Sequence, residues 1–386
     1  MRVIYFSQEE VSSKPPCVSE ILILKDLGVD VRVLTTYCND ATRRILNKRG
    51  IPITMMREND RSQKKTTLLK RVSGTVHKLN NFIHYDVMIR RYLRKNYNRD
   101  TVLWLGTEKS LVSYPHIWRK YKPIIQNALE FYETNSYQRK MKRYISLADI
   151  TTACEIHRAQ FMTDRWHLKS APYILPNKPY LHPRERNLPG STVENRKRIQ
   201  ILDGKKIILY QGIITKGKNF AAVASALAEL ERSGREKEPW WFVIIGTGDM
   251  EALKEAEKIY SRVMYLGFVP APLHLEITSH ARICYAYYET DTLNRRYCAP
   301  NKIYEAAGFG IPVLANNAPG LISTVEASGF GICVDFHDSH VVADAIRSID
   351  GQYDKFSKSS TSFYDGTDNK KTIQEILNAL LKKMQL

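Results

Sequence analysis

Apolar residues along this chain fall into two periodicities that take turns from end to end. Short segments rich in apolar and β-branched residues at 2–7, 29–35, 101–105, 123–129, 150–152 and 173–176 predict strands. The stretch 18–27 repeats its apolar positions every three or four residues and predicts a helix between the first two strands, the opening of a doubly wound sheet. A basic helix is expected over 137–146. Beyond residue 200 the alternation is cleaner. Strands are expected at 206–210, 241–245, 263–266, 282–287, 312–315 and 331–334, with helices at 220–231, 251–260, 273–279, 301–307, 321–327 and 339–349. A helix between each pair of strands implies parallel pairing.

The polar, proline-bearing segment 177–200 separates the two patterns, so the chain divides into a domain at 1–177 and a second at 178–365. The tail carries Ile373, Ile376, Leu377, Leu380 and Leu381 on one face; residues 366–386 are expected to form a helix docking between the domains. The segment 357–362 reads as a short polar loop. The fold class that follows is α/β, with two Rossmann-like doubly wound domains.

Composition adds that 386 residues suffice for two cores. No signal-peptide run opens the chain and no window reaches the eighteen or so apolar residues of a membrane span, which points to a cytoplasmic protein. Cys17, Cys38, Cys154, Cys284, Cys298 and Cys333 lack metal-type spacing, so neither disulfide nor zinc is expected.

Charge changes the picture more. The net charge is +18, and it is uneven: 31 Lys and Arg stand against 16 Asp and Glu up to Pro176, and 27 against 24 beyond it. Within residues 61–99 only Asp86 offsets a basic series that includes Lys64, Lys65, Lys70 and Arg71, while Leu68, Val72, Val76, Leu79, Ile83 and Val87 form one helical stripe. The stripe is read as core. The charge is read as a field for an anionic partner, a membrane surface first.

Candidate chemistry concentrates where strands of the second half end. Pro300 is placed at the first helical position, leaving the N–H groups of Asn301, Lys302 and Ile303 open at the positive end of a helix, with Lys302 adding a full charge. One turn on, Glu305 offers acceptor oxygens for a vicinal diol. A phosphate clamp beside a diol acceptor suggests a nucleotide. The turn Gln211-Gly212-Ile213-Ile214-Thr215-Lys216-Gly217-Lys218-Asn219 brings two more lysines, Lys216 and Lys218, to a strand–helix junction. Gly246-Thr247-Gly248-Asp249 reads as a tight turn near the same ligand.

Together these elements give a resemblance. Residues 205–334 resemble the donor-binding domain of the nucleotide-sugar glycosyltransferases of family 4 (group 1), through Tyr210-Gln211-Gly212 with Lys218-Asn219, Val243-Ile244-Ile245-Gly246-Thr247-Gly248, Tyr265-Leu266-Gly267-Phe268-Val269, and Pro300-Asn301-Lys302 running through Glu305-Ala306 to Gly310-Ile311-Pro312-Val313. Ala148-Asp149-Ile150 and Leu175-Pro176-Asn177 sit at matching places in the front half. The resemblance implies the GT-B fold, two such domains facing across a cleft. It implies transfer of a sugar from a nucleotide diphosphate, here taken as UDP-linked, to a lipid-linked or polysaccharide acceptor, with retention and without a metal or other cofactor. The protein would work peripherally at the cytoplasmic membrane face, with anionic lipid met by residues 61–99.

In this frame Lys218 and Lys302 are expected to stabilise the leaving diphosphate and Glu305 to hold the ribose, with Gly212, Lys216, Gly246, Phe268, Val269, Pro300 and Asn301 lining the donor. Two positions depart from the family pattern. Ile213 stands where an arginine is usual, and Tyr297 where the sugar-facing glutamate is. Glu289, Asp291 or Asn294 would replace the carboxylate. Arg295, Arg296 or Lys302 would replace the charge, with Lys302 ranked first. In the front half Glu130, in a run with Glu133, is the candidate base for the acceptor hydroxyl; Ser13 and Lys14 are read as ordinary loop residues and the histidines as structural. Two alternative readings are a sugar-nucleotide epimerase of the same fold, whose acid and base residues the sequence does not identify, and a basic nucleic-acid-binding protein, for which charge alone speaks and no nucleic-acid motif does.

Overall fold

The computed structural model describes residues 1–57, 70–234 and 238–384, leaving aside the side chains of 70–80 and 384. It separates into two compact units, 1–176 with 369–386, and 177–368.

The first unit is built on seven strands: β1 (Arg2–Ser7), β2 (Asp30–Thr35), β3 (Ile53–Met55), β4 (Thr101–Leu105), β5 (Ile124–Ala128), β6 (Ile150–Ala153) and β7 (Tyr173–Ile174). They pair in the order β3-β2-β1-β4-β5-β6-β7, all parallel. The short β3 has no apolar run long enough to announce it; its register against Val33, Leu34 and Thr35 defines it. The central strands are buried along their length, as a sheet covered on both faces requires.

The second unit has six strands: β8 (Lys206–Ile214), β9 (Trp240–Gly248), β10 (Val263–Tyr265), β11 (Ile283–Ala286), β12 (Val313–Asn316) and β13 (Gly331–Val334), ordered β10-β9-β8-β11-β12-β13 and all parallel. Ile208, Tyr210, Phe242, Ile244 and Tyr285 point into the core on one face of this sheet. Leu209, Val243, Ile245, Cys284 and Val313 point into the core on the other. The two α/β domains expected from the alternation are both present.

Four readings change. Strands β8 and β9 run on as far as Ile214 and Gly248, through stretches taken as loop and turn, because the ladder continues from Gln211↔Ile245 to Ile214↔Gly248. Residues 357–362 are not a loop: they lie within the helix Tyr353–Gly366, where Ser360 and Thr361 turn their hydroxyls onto the carbonyls of Phe356 (2.9 Å) and Ser357 (3.2 Å) and so sit in a helix despite their polarity. The boundary segment contains the helix Val193–Leu202, started by the Thr192 hydroxyl accepting the Asn195 N–H at 3.1 Å.

The fourth concerns the basic helix, Lys70–Asn96. Lys64, Lys65 and Leu68 lie outside the described residues, and so do the side chains of Val72, Val76 and Leu79. Ile83 and Val87, assigned to the core, are 52% and 58% exposed, while Ile89 and Leu93 bury the opposite face. The C-terminal helix Asn369–Met384 packs on the helix Pro15–Asp26 and on β7, so its contacts join it to the first unit. All six cysteines are buried free thiols. Among the described residues no helix is long and apolar enough to cross a membrane.

Candidate functional site

The helix Asn301–Gly308 follows Pro300, which holds the capping position just outside the first turn rather than the first turn itself, at φ −73° and ψ 139°. The Ile303 amide turns back to the Pro300 carbonyl at 3.3 Å, so it is not one of the outward donors expected there. Every residue from Lys302 to Gly308 is buried. Lys302 is therefore carried into the unit with its charge, and its ammonium has no hydrogen-bond partner among the described residues. It stands 4.0 Å from the ring centre of Tyr210 and 5.6 Å from that of Tyr288.

Lys218 converges on the same place. It ends the tight turn Lys216–Lys218, donates to the Tyr287 carbonyl at 3.1 Å and lies 4.1 Å from the Tyr288 ring centre. Two ammoniums thus share one aromatic wall. Burial pushes the Lys302 ammonium down to about 7, and the neighbouring Lys218 pushes it further the same way. Lys218 is lowered too, again chiefly by burial. Glu305 and Glu289 favour the charged lysines, but less than burial and mutual repulsion oppose them, which fits an anion that arrives and leaves.

Two glycines set the backbone beside these lysines. Gly212 has φ +138°, and a β-carbon there would stand 3.5 Å from Lys302 Nζ. Gly246, at φ +145°, lies so close to Gly212 that a β-carbon would overlap its carbonyl oxygen. The Gly246 N–H donates to the Gly267 carbonyl at 3.0 Å, which brings in the next loop; there Phe268 is 59% exposed, whereas Val269 is buried in the core. Val269 is thus a packing residue by its surroundings.

Glu305 lies one turn beyond Lys302, buried, with both carboxylate oxygens engaged. Oε2 accepts from the Gln211 side-chain amide, and Oε1 is 3.1 Å from His274 Nε2. Gln211 Oε1 in turn accepts from Thr278 at 2.6 Å, and the Glu305 carbonyl pairs with His182 Nε2 at 2.9 Å. Burial raises the Glu305 carboxyl, but His274, His182 and Lys302 together outweigh it, and the net position is below the usual range. Each oxygen keeps a second lone pair. The carboxylate is held rigid from behind and stays able to accept a hydroxyl in front.

Of the stand-ins for the missing sugar-facing carboxylate, Glu289 and Asp291 both bind Arg295 Nη1 at 2.8 Å. The Glu289 carboxylate also abuts Gly217, where a β-carbon would collide with it. Arg295 is committed to these two acids, and Arg296 Nη2 donates to the Thr290 carbonyl at 3.1 Å. Asn294 sits half-buried in the turn Leu293–Arg296, and Lys216 is exposed. In the first unit Glu130 is half-buried, its Oε2 3.9 Å from Arg158 Nη1 and its N–H donating to Glu108 Oε2 at 3.3 Å. Sequence reading missed Tyr210, Tyr288, His274 and Gln211. Gln211 and Tyr210 lie inside the quoted motif; His274 and Tyr288 carry no local signal.

Residues 191–355 match the family model "Glycosyl transferases group 1". No curated relative matches the chain. Among solved structures, a glycosyltransferase from Rickettsia africae ESF-5 aligns with a TM-score of 0.66 at 12% identity over 100% of this chain and 98% of its own. Anabaena Alr3699/HepE in complex with UDP aligns at 0.66 and 15% over 99% and 100%. Sucrose-phosphate synthase from Thermosynechococcus elongatus aligns at 0.65 and 14% over 100% and 99%. The second unit thus carries a stretch that matches the group 1 glycosyltransferase model, and the chain shares the fold of these solved structures along its length.

Proposed function

We propose that the protein moves a sugar from a UDP-linked donor to a lipid-linked or polysaccharide acceptor at the cytoplasmic membrane face, with retention and without a metal. The observation that carries the donor reading is the buried, unpartnered Lys302 ammonium facing the same tyrosine as Lys218. Glycosyl transfer needs its departing diphosphate stabilised, and two poorly solvated cations are strong at that task. Glu305, fixed by Gln211 and His274, would take the ribose hydroxyls. The Anabaena structure holds UDP, and a second one holds UDP-glucose, which supports uridine as the base.

Titration of UDP-, GDP- and ADP-sugars by calorimetry tests this. A UDP-sugar is expected to bind at least tenfold more tightly than the others, without added divalent cation. Tightest binding of another base, or binding that needs magnesium, would overturn the corresponding part.

The acceptor's setting rests on charge and exposure in the first unit. Ile83 and Val87 are exposed on a helix that ends in Arg90, Arg91, Arg94 and Lys95, an apolar strip beside cations that suits an anionic lipid surface. Vesicles with anionic lipid should capture the protein at low salt and release it near 0.5 M; a double Ile83→Ser, Val87→Ser variant should bind several-fold less. Equal binding to neutral vesicles, or no dependence on salt, would remove the membrane from the reading.

A further inference from the structure

Lys218 owes its placement to one short segment, and a residue from the neighbouring strand fixes that segment. β11 pairs with β12 as far as Ala286 opposite Ala315, and the chain then runs on through Tyr287 and Tyr288. Lys218 is tied to this run three times. The Tyr285 phenol donates to the Lys218 carbonyl at 2.7 Å, the Lys218 ammonium donates to the Tyr287 carbonyl at 3.1 Å, and the same ammonium stands 4.1 Å from the Tyr288 ring centre. The position of Tyr288 therefore bears directly on that of the charge.

The backbone ladder does not reach that far. β12 ends at Asn316, where the chain turns: the Asn316 carbonyl accepts the Ala318 N–H at 2.7 Å, and Pro319 opens the next turn of helix. The buried Asn316 side chain continues the pairing instead. Its Oδ1 accepts the Tyr288 N–H at 2.9 Å and its Nδ2 donates to the Tyr288 carbonyl at 2.8 Å, so a carboxamide stands where the next peptide of the ladder would be. Chemistry sets its orientation, since the flipped amide would put donor against donor and acceptor against acceptor. Two bonds to one residue hold both peptide units that flank Tyr288; one bond would let them swing.

The ring so held faces both ammoniums, 4.1 Å from Lys218 and 5.6 Å from Lys302. An aromatic face attracts a cation without cancelling its charge, so Lys218 is steadied and stays open to an anion. A shift of Tyr288 would change the gap between two cations that act on one ligand, and such positioned groups lose much of their effect when displaced by about 1 Å.

We propose that Asn316 is a positioning residue: by clamping the Tyr288 backbone it sets the place of the Lys218 ammonium opposite Lys302. That the anion gripped there is the diphosphate of a UDP-sugar rests on the glycosyl-transfer reading above; the placement of Lys218 does not.

Two measurements on the full chain test this. In calorimetry, UDP should bind roughly tenfold more weakly to Asn316→Ala and to Tyr288→Leu, and the double variant should bind no more weakly than Tyr288→Leu alone, because a residue that acts through another adds nothing once that other is gone. An asparagine of merely structural importance would lower the melting point and leave the UDP constant unchanged, or its effect would multiply with that of Tyr288→Leu; either result would overturn the proposal. The second measurement is NMR of the ligand-free protein with isotope-labelled lysine. The ε-methylene protons of Lys218, assigned by Lys218→Arg, should be shifted upfield by the Tyr288 ring, and Asn316→Ala should move them most of the way to their place in Tyr288→Leu. A resonance that stays put in Asn316→Ala would overturn the proposal whatever UDP does. Should that variant fail to fold, Asn316→Ser carries the same two expectations. Absent UDP binding in the wild type would strike the donor reading alone, and the lysine resonance would still decide the role of Asn316.

Discussion

Lys302→Met should leave a free protein that melts higher than the wild type and an enzyme that turns over roughly ten- to a thousandfold more slowly, the scale of losing one charge-stabilising donor. Both halves come from one observation: the ammonium is buried beside Lys218 with no hydrogen-bond partner among the described residues. In the free state this charge costs stability, and methionine fills the space without the cost. In the reacting state it is the group that meets the developing negative charge.

The sign of the pH dependence follows. A lysine whose folded value is about 7, against 10.5 when unfolded, holds fewer protons folded than unfolded between those limits. The wild type should therefore gain stability on the variant as pH rises from about 7 to about 10.5, with the variant's advantage largest below 7. Binding should show the same group from the other side. Near pH 8 the free ammonium is mostly deprotonated, and a diphosphate would restore its proton. Calorimetry in buffers of different ionisation enthalpy should give uptake of a fraction of a proton approaching one in the wild type and none in Lys302→Met. Wild-type turnover in the variant, or no difference in proton uptake, would take Lys302 out of the site.

How much of this was legible in the sequence differs between backbone and contact. Strand–helix alternation gave both sheets because parallel strands are nearly uniform apolar runs, as in Ile207-Ile208-Leu209-Tyr210. It lost β3, three residues of which none is fully buried, and it cut β8 and β9 short because glycines 212, 246 and 248 read as turns when they are close-approach positions within a ladder. Ile83 and Val87 show the limit of periodicity: spacing finds a face, and only the neighbours decide what covers it. The candidate site was legible as motif residues, Lys218, Lys302 and Glu305, since each stands at a strand end or first turn. Their partners were not. His274 reaches Glu305 from a helix 31 positions upstream in a different βα unit, and Glu108 meets Glu130 across two strands; no local pattern records such pairs.

Glu305→Ala should abolish most of the thermal stabilisation that UDP confers and lower the melting point of the free protein as well. A ligand at a hundred times its dissociation constant stabilises the native state by about 2.7 kcal/mol. For a unit of this size that is a shift of roughly 5–10 °C, and a variant that binds a hundredfold more weakly keeps only a small part of it. The loss in the free protein has a separate cause: the Gln211 amide and His274 Nε2 would lose their acceptor, at about 1–3 kcal/mol for buried groups left unpaired. Glu305→Gln distinguishes the two, because its amide oxygen still accepts one of these bonds while a carboxylate's grip on two hydroxyls is gone. It should recover part of the free-state stability and little of the UDP shift. Acid separates charge from shape. The Glu305 carboxyl sits below its usual value when folded, so its stabilisation is complete above the unfolded value near 4.5 and disappears as pH falls through the folded one. His182, held down to about 4 by burial, removes stability from both proteins between about 6.5 and 4, and Glu305 raises both it and Lys302, so the difference between wild type and Glu305→Gln carries these couplings beside the glutamate's own charge. That difference should shrink as pH falls below about 5. UDP shifts equal in wild type and both variants would mean that the nucleotide does not touch Glu305, and the ribose would have to be sought at another carboxylate.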